Sequence, residues 1–199
     1  MKKVCILTSR EIGKKCTQWA LDNIPLGFTL CDDPTKSDII ISILYEHLLP
    51  PYILENTQCF NFHPGILPEY RGAGAFSWGL INKAQKSGIT LHLIDEGIDT
   101  GDVIEIREFI ISPKDTAYTL YQKGQDLIYK MFINWFHDLL LGNYIATPQP
   151  EERAATYYRK DLNKAKDITH IIRAFHFPGK ESSYFINNEG KKIYINFEE

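Results

Sequence analysis

The stretch DIIISI, residues 38–43, carries isoleucine at four of its six positions. A strand with one wet face alternates polar and apolar side chains. An unbroken Ile-Ile-Ile suits a strand covered on both faces, as the central strands of a parallel sheet are. Working outward, KVCILT (residues 3–8) has the same character, and residues 28–31 and 58–62 are further short strand-like runs. Residues 11–23 place Ile12, Cys16, Trp19, Ala20 and Asn23 at helical spacing before Pro25 interrupts them. Strands alternating with helices predict an open α/β sheet, mainly parallel. The opening MKK resembles a secretion signal. Its apolar run stops after Leu7 without a small-residue cleavage site, so residues 3–8 are read as a first strand.

The second half is patterned differently. Residues 75–83 predict a helix, and residues 89–94 and 103–111 predict strands on either side of DEGIDTGD (residues 95–102). SPKD (residues 112–115) reads as a capping-box-like start with Pro113 at the first helical position. A long helix is predicted from there to Leu141, closed by Gly142. Residues 147–153 read as a surface excursion and residues 167–175 as a short helix ended by Pro178. YFINNEGKKIYINF (residues 184–197) reads as a hairpin around Asn-Glu-Gly. Residues 1–150 are expected to form the main domain, and residues 151–199 a helix-and-hairpin appendage of the same globule.

Composition excludes several classes of function. A net charge of −3 and a pI of 6.1 give no electrostatic footprint for nucleic acid or an anionic membrane. No apolar run approaches a membrane span, and a cytoplasmic location is expected. The four cysteines, Cys5, Cys16, Cys31 and Cys59, form no C-x-x-C pair and read as reduced, mostly buried thiols. No tight ligand pair suggests a metal, so none is expected.

NFHPGILPEYRG (residues 61–72) and the segment 95–102 both follow predicted strands. In an open α/β sheet, ligands collect beyond the carboxyl ends of strands, so the two loops can share one site. Asn61 and His63 lie on one side of an extended segment because strand side chains alternate. The Asn61 amide can donate to a developing oxyanion, and His63 can donate or move a proton. Asp99 can hold the imidazole and accept the proton an attacking amine loses. Pairing with Asp99 is expected to raise the His63 pKa. Without a Ser or Cys nucleophile beside them, direct transfer from a bound donor fits better than an acyl-enzyme. His92, on an alternating apolar strand, reads as a core histidine that could also line the pocket.

N-F-H-P-G-I-L-P-E-Y-R-G followed by G-I-T-L-H-L-I-D-E-G-I-D-T-G-D-V-I (residues 88–104) closely resembles the folate-dependent formyltransferases. Members of that family move a formyl group from N10-formyltetrahydrofolate to an amine. The resemblance implies a Rossmann-like formyltransferase domain over residues 1–150, with its N-terminal half shortened by one βαβ unit. It places the family's Asn–His–Asp triad on Asn61, His63 and Asp99 and implies a cis peptide at Leu67–Pro68. For the folate it implies contacts from His47, Leu48 and Leu49 in one loop and from Ile94, Asp95, Gly97 and Ile98 in the other.

The acceptor follows from narrower resemblances. Y70-R71-G72…W78-G79-L80-I81-N82 and H92-L93-I94-D95-E96-G97-I98-D99-T100-G101-D102 are most similar to the sugar-nucleotide N-formyltransferases. That implies an acceptor amine on a nucleotide-linked amino-deoxy sugar, with Arg71, Gly72 and Trp78 at the substrate. Glycinamide-ribonucleotide enzymes open with a glycine-rich phosphate loop where this chain has LTSREIGKK. Methionyl-tRNA enzymes add a basic linker and a C-terminal barrel, unlike this acidic chain. Those two acceptors, and a folate-fold binder without turnover, are the alternatives. Small molecules are the expected partners, with a homodimer through the hairpin.

Overall fold

The computed structural model describes residues 1–158, 161, 168–180, 182, 184–187 and 189–194. The first half runs β1 (Lys2–Thr8), α1 (Glu11–Asn23), β2 (Phe28–Leu30), β3 (Ile39–Ile43), α2 (Pro51–Leu54) and β4 (Gln58–His63). Then come β5 (Arg71–Gly72), α3 (Ala75–Ile81), β6 (Lys86–Leu93), β7 (Val103–Ile110) and α4 (Ala117–Leu141). β8 (Thr156–Tyr157), α5 (Ile168–Phe175), β9 (Tyr184–Ile186) and β10 (Lys192–Tyr194) follow.

One six-stranded open sheet has the order β2-β1-β3-β4-β6-β7. The first four strands are parallel, and β6 runs antiparallel to both β4 and β7. All of β3 is buried, as its composition requires. Its alternation divides the interior: Ile39, Ile41 and Ile43 join the main core with Ile12 and Cys16 of α1 and Phe132 and Phe136 of α4. Ile40 joins Cys5, Cys59 and Ile53 of α2 in a smaller cluster. Burying each such side chain stabilises the fold by about 1.5–3 kcal/mol. The four thiols are free, and burial pushes Cys5, Cys16 and Cys59 up to about 12.

Three boundaries depart from expectation. Helix α4 starts at Ala117 rather than Pro113, capped by Thr116 and Thr119 in a reciprocal box. Asp115 closes a turn instead, accepting from Ser112 N at 2.7 Å and pairing with Lys123. Helix α3 ends at Ile81, with Lys83 at φ 58°. β6 begins earlier than expected because Lys86 pairs with Ile110 of β7. Gly142 terminates α4 in the left-handed region as predicted, at φ 76°.

The C-terminal segment is tied back to the sheet domain. β8 pairs with β5, Ser77 Oγ donates to Ala174 O at 2.8 Å, and Arg173 donates to Asp115 O and Ser112 O. The hairpin forms, with Tyr184 opposite Tyr194 and the two rings 5.6 Å apart. Both tyrosines remain exposed. Asp167 and Ile195, also assigned to these elements from sequence, lie outside the described residues.

Candidate active site

β4 carries Asn61 and His63 to the carboxyl edge of the sheet, and the antiparallel register sets His92 of β6 directly opposite Asn61. Thr90, opposite His63, donates to Gly65 O at 2.7 Å and accepts from Leu67 N at 3.2 Å. That threonine ties the loop after β4 to the sheet. The Leu67–Pro68 bond in the loop is cis, as the resemblance implied.

Asp99 meets these side chains from the loop after β6, with its own backbone in the left-handed region at φ 54°. Asp95 shapes the approach, accepting from Gly97 N at 3.1 Å and from the Thr100 hydroxyl. Oδ2 of Asp99 accepts from Gly72 N at 2.8 Å and lies 3.3 Å from His63 Nδ1. Oδ1 accepts from Asn61 Nδ2 at 3.4 Å and lies 3.5 Å from His92 Nε2. Gly72 is required where it stands: φ is 87°, and a Cβ would come 2.2 Å from Tyr157 O. Only glycine brings that amide to the carboxylate.

Burial opposes ionisation of Asp99, but His63, His92 and the Gly72 amide outweigh it and hold the carboxyl well below its ordinary value. For His63 the balance goes the other way. Burial is the strongest influence and lowers its pKa, against the upward pull of Asp99 and of the Tyr70 carbonyl, 2.7 Å from Nε2. The expected rise is therefore reversed, because the ring is only 3% exposed and loses its hydration. Burial thus favours the neutral ring, which faces the Asp99 carboxylate.

The Asn61 amide also differs from expectation. Its nitrogen lies 3.2 Å from His92 Nε2 and donates to Asp99. His92 Nδ1 donates to Leu93 O at 2.6 Å, and its Nε2 faces both the Asn61 amide and Asp99 Oδ1. Asn61 must therefore leave one of these partners to serve an incoming oxygen. His92, read from sequence as a core residue, is a fourth polar member of the cluster. Its position depends on strand register, which the chain does not display.

These groups line a cavity of about 690 Å3, within the range of small-molecule sites. Its lining includes Asn61, His63, His92 and Asp99. The residues assigned to folate, His47, Leu48, Leu49, Ile94, Asp95, Gly97 and Ile98, also line it. Gly72 lines it too, whereas Arg71 and Trp78 lie outside its lining. Arg71 is buried, its guanidinium paired with both Glu151 oxygens and with Gln149 Oε1. Trp78 packs on Tyr157 with ring centroids 4.8 Å apart.

Gln149 escaped the sequence reading, which made residues 147–153 a surface excursion. Its buried amide donates to Asp99 O at 2.9 Å and Gly101 O at 2.7 Å, bracing the Asp99 loop against Arg71. Gln149→Leu strands both carbonyls and Arg71 Nε. It is expected to destabilise the fold by about 3 kcal/mol in denaturant titration.

The family model described as formyl transferase matches residues 32–135. The chain belongs to the formyl transferase family. Among curated relatives, the methionyl-tRNA formyltransferase of Thermodesulfovibrio yellowstonii is 33% identical over 167 residues, covering 78% of this chain and 53% of that protein. The chain thus spans about half the length of such relatives. Among solved structures, a sugar N-formyltransferase from a Shewanella species superimposes with a TM-score of 0.84 at 21% identity, covering 99% of this chain and 97% of that one. A formyltransferase from Anoxybacillus kamchatkensis, solved with UDP-4,6-dideoxy-4-formamido-L-AltNAc and tetrahydrofolate, is 26% identical. Its TM-score is 0.69, covering 81% of this chain and 88% of that one. The open, mainly parallel sheet of this family is the one observed here.

Proposed function

We propose that the protein transfers a formyl group from N10-formyltetrahydrofolate to the amine of a nucleotide-linked amino-deoxy sugar. The observation that carries this reading is the convergence of Asn61, His63 and Asp99 on one cavity. The folate lies against the loops 45–49 and 94–98, and the amine approaches the formyl carbon from the opposite side. As the C–N bond forms, neutral His63 takes the proton the amine loses, and Asp99 stabilises the resulting imidazolium. Asn61 turns an N–H toward the oxygen that gains charge. Collapse of the tetrahedral carbon expels tetrahydrofolate, whose N10 recovers a proton.

The ligands of the Anoxybacillus protein support both the folate donor and the nucleotide-sugar acceptor. A methionyl-tRNA acceptor is the second reading, favoured by the 33% identity to the Thermodesulfovibrio enzyme. Following tetrahydrofolate release with nucleotide-linked amino sugars, glycinamide ribonucleotide and initiator methionyl-tRNA separates the acceptors. Release with the sugars alone is expected. Release with only one of the others moves the acceptor, and no release with any amine overturns formyl transfer itself. Thermal shift with nucleotide sugars identifies the best acceptor, since a ligand at a hundred times its Kd adds about 2.7 kcal/mol of stability.

The exposed Tyr184 and Tyr194 support a homodimer formed through the hairpin. Light scattering is expected to show a dimer for the full chain and a monomer for a chain ending at Pro178. A monomeric full chain at micromolar concentration, or a dimer that survives truncation, overturns that arrangement.

A further inference from the structure

The cavity has two walls rooted on opposite faces of the sheet. Leu49 and Ile94, from the loops that receive the donor in the reading above, pack on the smaller cluster of Ile40, Ile53 and Cys59. Phe76, Ala117 and Tyr121, on the other wall, belong to the main core beside Phe62. Arg10 stands with this second wall. It follows β1, two strand spacings (about 10 Å) across the sheet from Asn61. It leads directly into α1, whose Ile12 and Cys16 lie in that main core.

Among the described residues, Arg10 is the only Lys or Arg lining the cavity. Its backbone is held in place. Arg10 N donates to Thr8 Oγ1 at 3.1 Å, and a Cβ on Gly13 would come within 2.0 Å of that same oxygen. Among the described residues the guanidinium is held only by Glu46, and the two side chains are 40% and 56% exposed. An ion pair so exposed contributes little and exchanges readily for a better anion. A phosphate is such an anion, because the guanidinium fork matches two of its oxygens at once. Glu46 belongs to the donor-side loop, so in the free protein the pair bridges both walls at the cavity.

We propose that Arg10 is the ligand for the acceptor's phosphates, and that an entering nucleotide takes the guanidinium from Glu46. The assignment rests on the formyl-transfer reading only for which wall faces the acceptor. The remaining carboxylates of the lining, Asp95 and Asp99, repel a diphosphate. Arg10 is the countercharge that selects acceptors carrying one, and Glu46 is the internal competitor that an uncharged amino sugar cannot displace.

Calorimetric titration of thymidine diphosphate and uridine diphosphate into the full chain, with tetrahydrofolate present, tests this without turnover. Arg10→Ala is expected to weaken nucleotide binding at least about tenfold, the loss of charge-assisted hydrogen bonds. Arg10→Lys recovers part of it, and Glu46→Gln tightens it. Tetrahydrofolate affinity, measured alongside, stays at the wild-type value in Arg10→Ala and reports an intact fold. Equal nucleotide binding by Arg10→Ala and wild type overturns the assignment, as does a wild-type protein that binds neither nucleotide. Loss of folate affinity with nucleotide binding kept gives Arg10 to the folate's carboxylates instead, and also overturns it. A wild-type protein that binds nucleotide through Arg10 but transfers no formyl group sinks the formyl-transfer reading alone.

Discussion

Asp99→Asn is expected to lower turnover by about a hundredfold or more, the usual scale for losing a proton-transfer or oxyanion group. The carboxylate accepts from Gly72 N at 2.8 Å and from Asn61 Nδ2 at 3.4 Å, and it faces His63 Nδ1 at 3.3 Å. An amide replaces one of those acceptor oxygens with a donor, so one contact becomes donor against donor. It also removes the charge that stabilises a protonated His63. Folding can be followed separately by circular dichroism and calorimetry. Near wild-type turnover in a folded Asp99→Asn protein would remove Asp99 from the mechanism.

Stability should depend on the same group in a defined direction. The folded-state pKa of Asp99 is depressed below 3.8, so its contribution is fully present above that value. It is lost as pH falls through the folded pKa. His63 adds an earlier window. With its folded pKa below 6.5, the unfolded chain binds the proton first, and stability falls as pH drops from 6.5 toward the folded value.

His63→Asn is the second change of large expected effect, again about a hundredfold or more in turnover. The wild-type pH profile carries the more discriminating information. A neutral resting imidazole that accepts the amine's proton gives activity that holds near pH 7 and falls on the acid side, below 6.5, as His63 becomes charged. A resting imidazolium gives the opposite limb, with activity falling as pH rises. NMR titration of the ring in the free protein distinguishes them. The groups that set the outcome are Asp99, His92 and the Tyr70 carbonyl, which all contact or face the ring. A ring that remains charged above pH 7 contradicts the base role.

Much of this molecule can be read directly from the chain. The uninterrupted Ile39–Ile41 run implies burial on both faces, since an exposed strand does not keep three isoleucines together. The helical spacing of Ile12, Cys16 and Ala20 implies a helix with one buried side, and those residues are buried. For the strands and α1 local patterns suffice, because the determining forces act between near neighbours. Asn61, His63 and Asp99 stand out only weakly by residue type, and it is the resemblance of their two motifs to the formyltransferases that singles them out.

Other features depend on contacts between residues far apart in sequence. His92 joins the site because β6 runs antiparallel to β4 and sets it opposite Asn61, a register that its own alternation does not disclose. Gln149 and Arg71 brace the Asp99 loop across 50 and 78 residues of chain, so neither polar residue signals its role locally. Helix α4 begins at Ala117 because Asp115 is engaged by Ser112 and Lys123, where a local capping pattern favours an earlier start. The protonation of His63 belongs to the folded molecule alone: the sequence supplies the carboxylate that would charge it, while burial of the whole ring, a property of the assembled sheet and loops, removes the water that charge requires.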